Sequence, residues 1–235
     1  MGRDGARIAL ITGGSRGLGL ALARELAARG WTLVIDARGA EALERARSEL
    51  AERTTIRAVV GDVADDQHRL RLISEAESLG GLHVLVNNAS LLGPSPQPSL
   101  DRYPLDGFED VYRANVVAPL GLIQLAMPLL LRSSPGGRIL NVTSDAATEP
   151  YEGWGGYGSS KAALDQLSNV LAAEHPDLRV YSVDPGDMNT QMQQEAFPGE
   201  DVSDRPPPEA SVPGLLRLIE GDLPSGRYRA RDLAP

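Results

Sequence analysis

Short apolar runs alternate with segments of helical period along nearly the whole chain. The runs 7–12, 32–35, 56–60, 82–87, 138–143 and 178–183 read as strands, with a weaker seventh at 226–229. Helical spacing of apolar residues fills the intervals at 18–28, 40–53, 65–79, 106–131, 158–174 and 209–220. Strand, helix and strand repeated through short connections predict an α/β fold, a doubly wound parallel sheet of about seven strands with helices on both faces. No break in composition divides residues 1–235, so a single domain is expected. The stretch 191–208, with Phe197-Pro198-Gly199 and prolines at 206–208, has no clear period and reads as a substrate loop or lid.

Charge and composition narrow the partners. A net charge of −9 repels phosphate backbones, which excludes nucleic acid as the expected partner, while a small anionic cofactor is still allowed where arginines and amides receive it. There is no cysteine, and His68, His83 and His175 are scattered without ligand spacing, so no metal site is expected. The start of the chain lacks an apolar core segment, which argues against a secretory signal and makes the cytoplasm the default location. The apolar stretch Val116 to Leu131 is interrupted by Pro119, Gly121, Gln124 and Pro128 and falls short of the ~20 residues of a membrane span. It is expected to lie against the sheet or another subunit.

In such sheets ligands sit beyond the carboxyl ends of the strands, so the residues that follow each strand carry the chemistry. After the first strand comes Thr12-Gly13-Gly14-Ser15-Arg16-Gly17-Leu18-Gly19. Glycines there let the backbone turn sharply and approach a pyrophosphate, whose charge meets free amides at the helix start. A tight turn with no ligand is the plainer alternative, but four glycines in seven residues weaken a helix start. Lys161 is the only lysine in the chain and stands four residues after Tyr157. On a helix that spacing sets an ammonium beside a phenol. One unit charge at ~4 Å and an effective dielectric of ~20 interacts by about 4 kcal/mol, the amount needed to lower a phenol by about three pH units. A solvent-facing pair is the bland alternative.

Taken together, the glycine turn and the Tyr-Lys pair resemble the short-chain dehydrogenase/reductase family. Further pieces occur in the expected order: Gly61-Asp62-Val63, Asn87-Asn88-Ala89, Asn115, Val142-Thr143-Ser144, and Pro185-Gly186 with Thr190. The resemblance spans roughly residues 6 to 190 and implies a Rossmann-type fold with oxidoreductase activity on a carbonyl or alcohol. By that resemblance Tyr157 is the proton donor or acceptor, Lys161 lowers its pKa and holds the nicotinamide ribose, and Ser144 stabilises the substrate oxygen. Asn115 would hold a water linking the lysine to solvent, although a buried amide satisfied by backbone is the alternative reading.

The cofactor-binding set implied by the resemblance is Gly13, Ser15, Arg16, Gly17, Leu18, Gly19, Arg38, Asp62, Val63, Asn88, Ala89, Tyr157, Lys161, Pro185, Gly186 and Thr190. Asp62 is equally readable as a helix N-cap. Position 90 is Ser where the family usually has Gly, which bears on little beyond local backbone freedom.

At the end of the second strand, Arg38 with Arg16 favours NADP, whereas NAD remains open if Asp36 faces the ribose. Tyr151 and Trp154 offer flat surfaces to a small-molecule substrate or to neighbouring loops. A homodimer through the long fourth and fifth helices is expected. A homotetramer is less so, because the family's frequent C-terminal Asp-Gly-Gly is missing. A cofactor-binding sensor or scaffold without catalysis is the competing function, disfavoured because Ser144, Tyr157 and Lys161 are all kept. An epimerase or dehydratase is disfavoured by the short chain after Thr190.

Overall fold

Alternate residues of each strand face opposite helical layers. This computed structural model describes residues 6–134 and 136–233; the expectation resting on residues 1–5, that no secretory signal begins the chain, lies outside them. The strands are β1 Ile8–Ile11, β2 Thr32–Ala37, β3 Ile56–Val60, β4 Val84–Asn87, β5 Arg138–Val142, β6 Arg179–Asp184 and β7 Gly226–Arg229. All pair in parallel in one sheet of order β3-β2-β1-β4-β5-β6-β7. Because β2 and β3 lie on one side of β1 and β4 on the other, a crevice opens beyond the carboxyl ends of β1 and β4.

The helices are α1 Gly17–Ala28, α2 Ala40–Ala51, α3 Asp66–Ser78, α4 Leu105–Tyr112, α5 Ala118–Arg132, α6 Gly155–Glu174, α7 Gln191–Ala196, α8 Val212–Glu220 and α9 Ala230–Leu233. One face of the sheet, with Ala9, Ile11, Leu33 and Ile35, is covered by α1, α2 and α8 through Leu22, Leu26, Leu43, Leu50 and Leu215. The opposite face, with Ile8, Leu10, Val34 and Leu85, is covered by α3 and α5 through Leu72, Leu122, Ile123 and Leu130, joined by Leu171 of α6. Each such leucine, isoleucine or valine contributes roughly 1.5–3 kcal/mol by leaving water.

Two local departures bear on the site. The helix expected over 106–131 contains a wide turn at Arg113–Val117, where the amide of Ala118 reaches the carbonyl of Arg113 five residues back. Pro119 has no amide to continue the regular ladder, which accounts for a wide turn at this place. With that turn included, the helix runs unbroken over Leu105–Arg132, 28 residues, which by length and composition only is long and apolar enough to cross a membrane. Its buried residues Leu122, Ile123, Ala126, Leu129 and Leu130 pack in the core beside the sheet. The second departure falls in the expected loop 191–208, which begins with α7 and is tied back by the amide of Asn189 donating to Pro206 at 2.8 Å.

Candidate active site

A cleft of about 1330 Å³ runs along the carboxyl edge of the sheet. The glycine turn, the ends of β2 to β6 and the α7 segment form its walls. Gly13 and Gly17 have φ of +68° and +54°, which a side chain would strain, so the turn needs glycine at both. Arg16, at the N-cap of α1, places no side-chain acceptor over the first amides of the helix, and no acidic residue occupies the first turn. A bare backbone cradle at a positive helix end fits an anionic dinucleotide pyrophosphate.

Most of the expected cofactor residues meet in this cleft: Gly13, Ser15, Arg16, Gly17, Leu18, Arg38, Asp62, Val63, Asn88, Ala89, Pro185, Gly186 and Thr190 all line it. Gly19 does not. A Cβ there would lie 2.4 Å from the Gly13 carbonyl oxygen, so Gly19 lets α1 pack beneath the turn rather than touching a ligand. Asn88 also supports the turn from below, its side-chain amide donating to the carbonyl of Thr12 at 2.8 Å. Asp62 is not the N-cap of α3. That role belongs to Asp65, which accepts from the Gln67 amide at 2.9 Å, while Asp62 accepts from Ala64 and leaves an oxygen 4.0 Å from Arg38. Arg16 donates to Gln191 at the start of α7, and Thr190 caps that helix.

Asp36 resolves the geometry left open at β2. Its carboxylate is buried and faces inward, accepting from the Gly13 amide at 2.7 Å and lying 2.8 Å from Nε2 of His68. The arginine that follows, Arg38, is exposed at the cleft.

Beyond β5 lie Ser144, Tyr157 and Lys161, all on the same cleft. Ser144 lies two residues past the end of β5 with its hydroxyl donating to Asp145 at 3.0 Å, and Arg227 of β7 fixes its carbonyl at 2.9 Å while pairing with Asp165. Tyr157 and Lys161 lie one turn apart on α6, both buried. The ring of Trp154 packs edge-on against Tyr157 at 5.8 Å and lies 5.9 Å from Phe197, which follows α7. Leu92, Met192 and Ala196 extend this apolar lobe.

Burial dominates the protonation of this pair in the free protein. It pushes the Tyr157 phenol above its ordinary value, with Ser90 acting against that as a hydrogen-bond partner and the nearby carboxylates of Asp184 and Asp145 adding to it. Burial also pushes Lys161 down to about 8, opposed by Asp165. The simple expectation of a phenol lowered by its lysine is thus reversed in the free protein, because both groups lose water and the ammonium binds a backbone carbonyl instead.

Asn115 lies in the wide turn and is fully buried behind the cleft wall rather than on it. Its side chain accepts from Ser90 Oγ at 3.0 Å and Leu91 N at 2.8 Å and donates to Leu91 O at 2.9 Å and Ser160 Oγ at 3.0 Å. The side-chain amide is therefore satisfied by the Leu91 backbone and by two serine hydroxyls. Ser90 is the residue that sequence reasoning undervalued. Its hydroxyl donates to Asn115 at 3.0 Å, and as a neighbour of the phenol it draws the Tyr157 pKa down; the only sign in the sequence was a serine where the family pattern has glycine.

The chain matches the family model for short chain dehydrogenases over residues 7–201. It is 34% identical over 229 residues to the rhamnolipids biosynthesis 3-oxoacyl-[acyl-carrier-protein] reductase of Pseudomonas aeruginosa, covering 94% of this chain and 83% of that protein. Sepiapterin reductase of Mus musculus is 34% identical over 203 residues, covering 81% of this chain and 77% of the relative. Among solved structures, a short chain dehydrogenase of Shigella flexneri complexed with NADP superposes with a TM-score of 0.89 at 29% identity, covering 97% of this chain and 98% of that one.

Proposed function

The chain belongs to the short chain dehydrogenase family and is an oxidoreductase of CH–OH and C=O groups; on that premise we propose that it interconverts a small-molecule ketone or aldehyde and its alcohol with NADP(H). The observation that carries this reading is the convergence of Ser144, Tyr157 and Lys161 on the same cleft as the glycine turn. When bound, the nicotinamide supplies the hydride to the carbonyl carbon or takes it back from the alcohol.

The chain's own residues do the rest. Gly13, Ser15, Arg16, Gly17 and Leu18 receive the pyrophosphate. Asp62 and Val63 flank the adenine, and Asn88 and Ala89 line the adenosine ribose. Pro185, Gly186 and Thr190 border the nicotinamide end, and Lys161 holds its ribose hydroxyls. Ser144 donates to the substrate oxygen as negative charge develops there. Tyr157 gives its proton to that oxygen, a role suited to a phenol that burial keeps protonated. Asn115 positions the tyrosine from behind through Ser160, which accepts from the Asn115 amide and donates to the Tyr157 carbonyl. An inward-facing Asp36 beside an exposed Arg38 supports a 2′-phosphate over a 2′-hydroxyl. Arg38 and Asp62 are both largely exposed at 4.0 Å, so their pairing is weak and leaves the guanidinium available.

Exposed Val117, Leu120 and Leu131 on the 105–132 helix and Val170 on α6 support a homodimer through these helices. Light scattering of the purified protein tests that point. For the reaction, NADPH carrying deuterium at C4 is incubated with a panel of ketones, aldehydes, sugars and steroids. Label on the carbinol carbon of a product is the expected result; NADPH binding without transfer to any carbonyl contradicts the proposal.

A further inference from the structure

We propose that His68 sets coenzyme choice by holding the Asp36 carboxylate out of the adenosine ribose site. The inference rests on the NADP(H) reading above and names the residue that enforces it. Asp36 is the last but one residue of β2, two before Arg38, and it is among the residues that border the cleft. A carboxylate at the end of this strand can accept the 2′-hydroxyl of NAD and repel the 2′-phosphate of NADP. Here it does neither, because the residue is 1% exposed and both oxygens are engaged, one by the Gly13 amide at 2.7 Å and the other by His68 at 2.8 Å.

The imidazole is fixed from three sides. It is fully buried on α3. Its Nδ1 lies 3.3 Å from Nη2 of Arg71, which can only donate, so Nδ1 accepts and Nε2 carries the hydrogen toward Asp36. Gly61 lies against the ring so closely that a Cβ there would come within 2.2 Å of Nδ1. Position 61 therefore makes room for the ring that traps the acid. A buried carboxylate that loses its donor carries a large desolvation cost, and its nearest relief is the cleft it borders. The chain thus retains an acid at β2 yet presents an arginine there, and His68 is a positioning residue acting through Asp36.

Dissociation constants for NADPH and NADH, measured by titration calorimetry on the wild type and four variants, test this. The wild type is expected to bind NADPH more tightly. His68→Leu, which cannot donate, is expected to lower the NADPH-over-NADH preference at least tenfold. His68→Asn, too short to reach Asp36, does the same and stands in if the leucine variant does not fold. His68→Gln, whose amide reaches about as far as Nε2, keeps the wild-type ratio. In His68→Leu/Asp36→Asn the preference for NADPH returns, because no charge remains to repel the phosphate. Equal weakening of both coenzymes, with the ratio unchanged in the leucine and asparagine variants, overturns the role of His68 alone. A wild type that prefers NADH overturns the coenzyme reading and this inference with it.

Discussion

The Lys161 ammonium donates to the carbonyl of Val142 at 2.8 Å and lies 5.4 Å from the centre of the Tyr157 ring. Its position is fixed by the end of β5, the strand that also presents Ser144, and not by the phenol alone. An ammonium stripped of water in this way is held for chemistry at a cost in stability. Folding takes Lys161 from 10.5 down to about 8, so at neutral pH the unfolded chain binds its proton more tightly than the folded one.

Lys161→Met is expected to be more stable than the wild type at pH 7, by up to about 3 kcal/mol before loss of the Val142 bond is counted. Between pH 8 and 10.5 the folded lysine is neutral while the unfolded one is still charged, so wild-type stability rises with pH across that window. Urea unfolding at pH 7 and pH 10 should show the gap closing. A variant less stable than the wild type at both pH values contradicts the assignment.

Tyr157 and Ser90 predict the direction dependence of turnover. Since burial raises the phenol, reduction of a carbonyl should proceed through neutral pH, whereas alcohol oxidation, which needs the phenolate, should climb as the solution becomes more alkaline. Ser90→Gly removes a partner that favours the phenolate, so the oxidative profile should move further to high pH, with kcat at pH 8 reduced about fivefold for the loss of about 1 kcal/mol. An unchanged profile argues that Ser90 serves only Asn115.

Gly19→Ala tests the packing beneath the turn. Its Cβ would meet the Gly13 oxygen at 2.4 Å and the Asn88 amide nitrogen at 2.6 Å, and neither can retreat without breaking the link between β1 and β4. A destabilisation of about 1–3 kcal/mol is expected in urea, with weaker NADPH binding. Wild-type stability together with wild-type binding contradicts the close approach.

Much of this was legible in the chain because its signals are local. Ile8, Leu10, Val34 and Leu72 carry the period-two and period-four patterns that place β1, β2 and α3, and the interval from Tyr157 to Lys161 is one helical turn. The motifs after each strand converge because parallel strands all end on one edge. What escaped was non-local or depended on exact backbone state. Asp36 and His68 are 32 residues apart, and nothing in either neighbourhood signals the pairing, so the sequence left open whether Asp36 at the end of β2 faces the ribose or points away. The wide turn at Asn115 depends on how Pro119 is accommodated, and proline in a helical pattern marks a disturbance without giving its form. The protonation of Tyr157 could not be read from charge spacing because desolvation, a property of the folded cleft, outweighs the lysine.

The central claim is that the Tyr157 phenol passes a proton to a carbonyl oxygen. Tyr157→Phe keeps the ring against Trp154 and removes only the hydroxyl, so its single-turnover rate with NADPH and a substrate found by the deuterium screen isolates that proton. The expected result is a fall of about 10²- to 10⁴-fold with the NADPH dissociation constant unchanged within about threefold. A rate within threefold of the wild type, at the same coenzyme affinity, would contradict it.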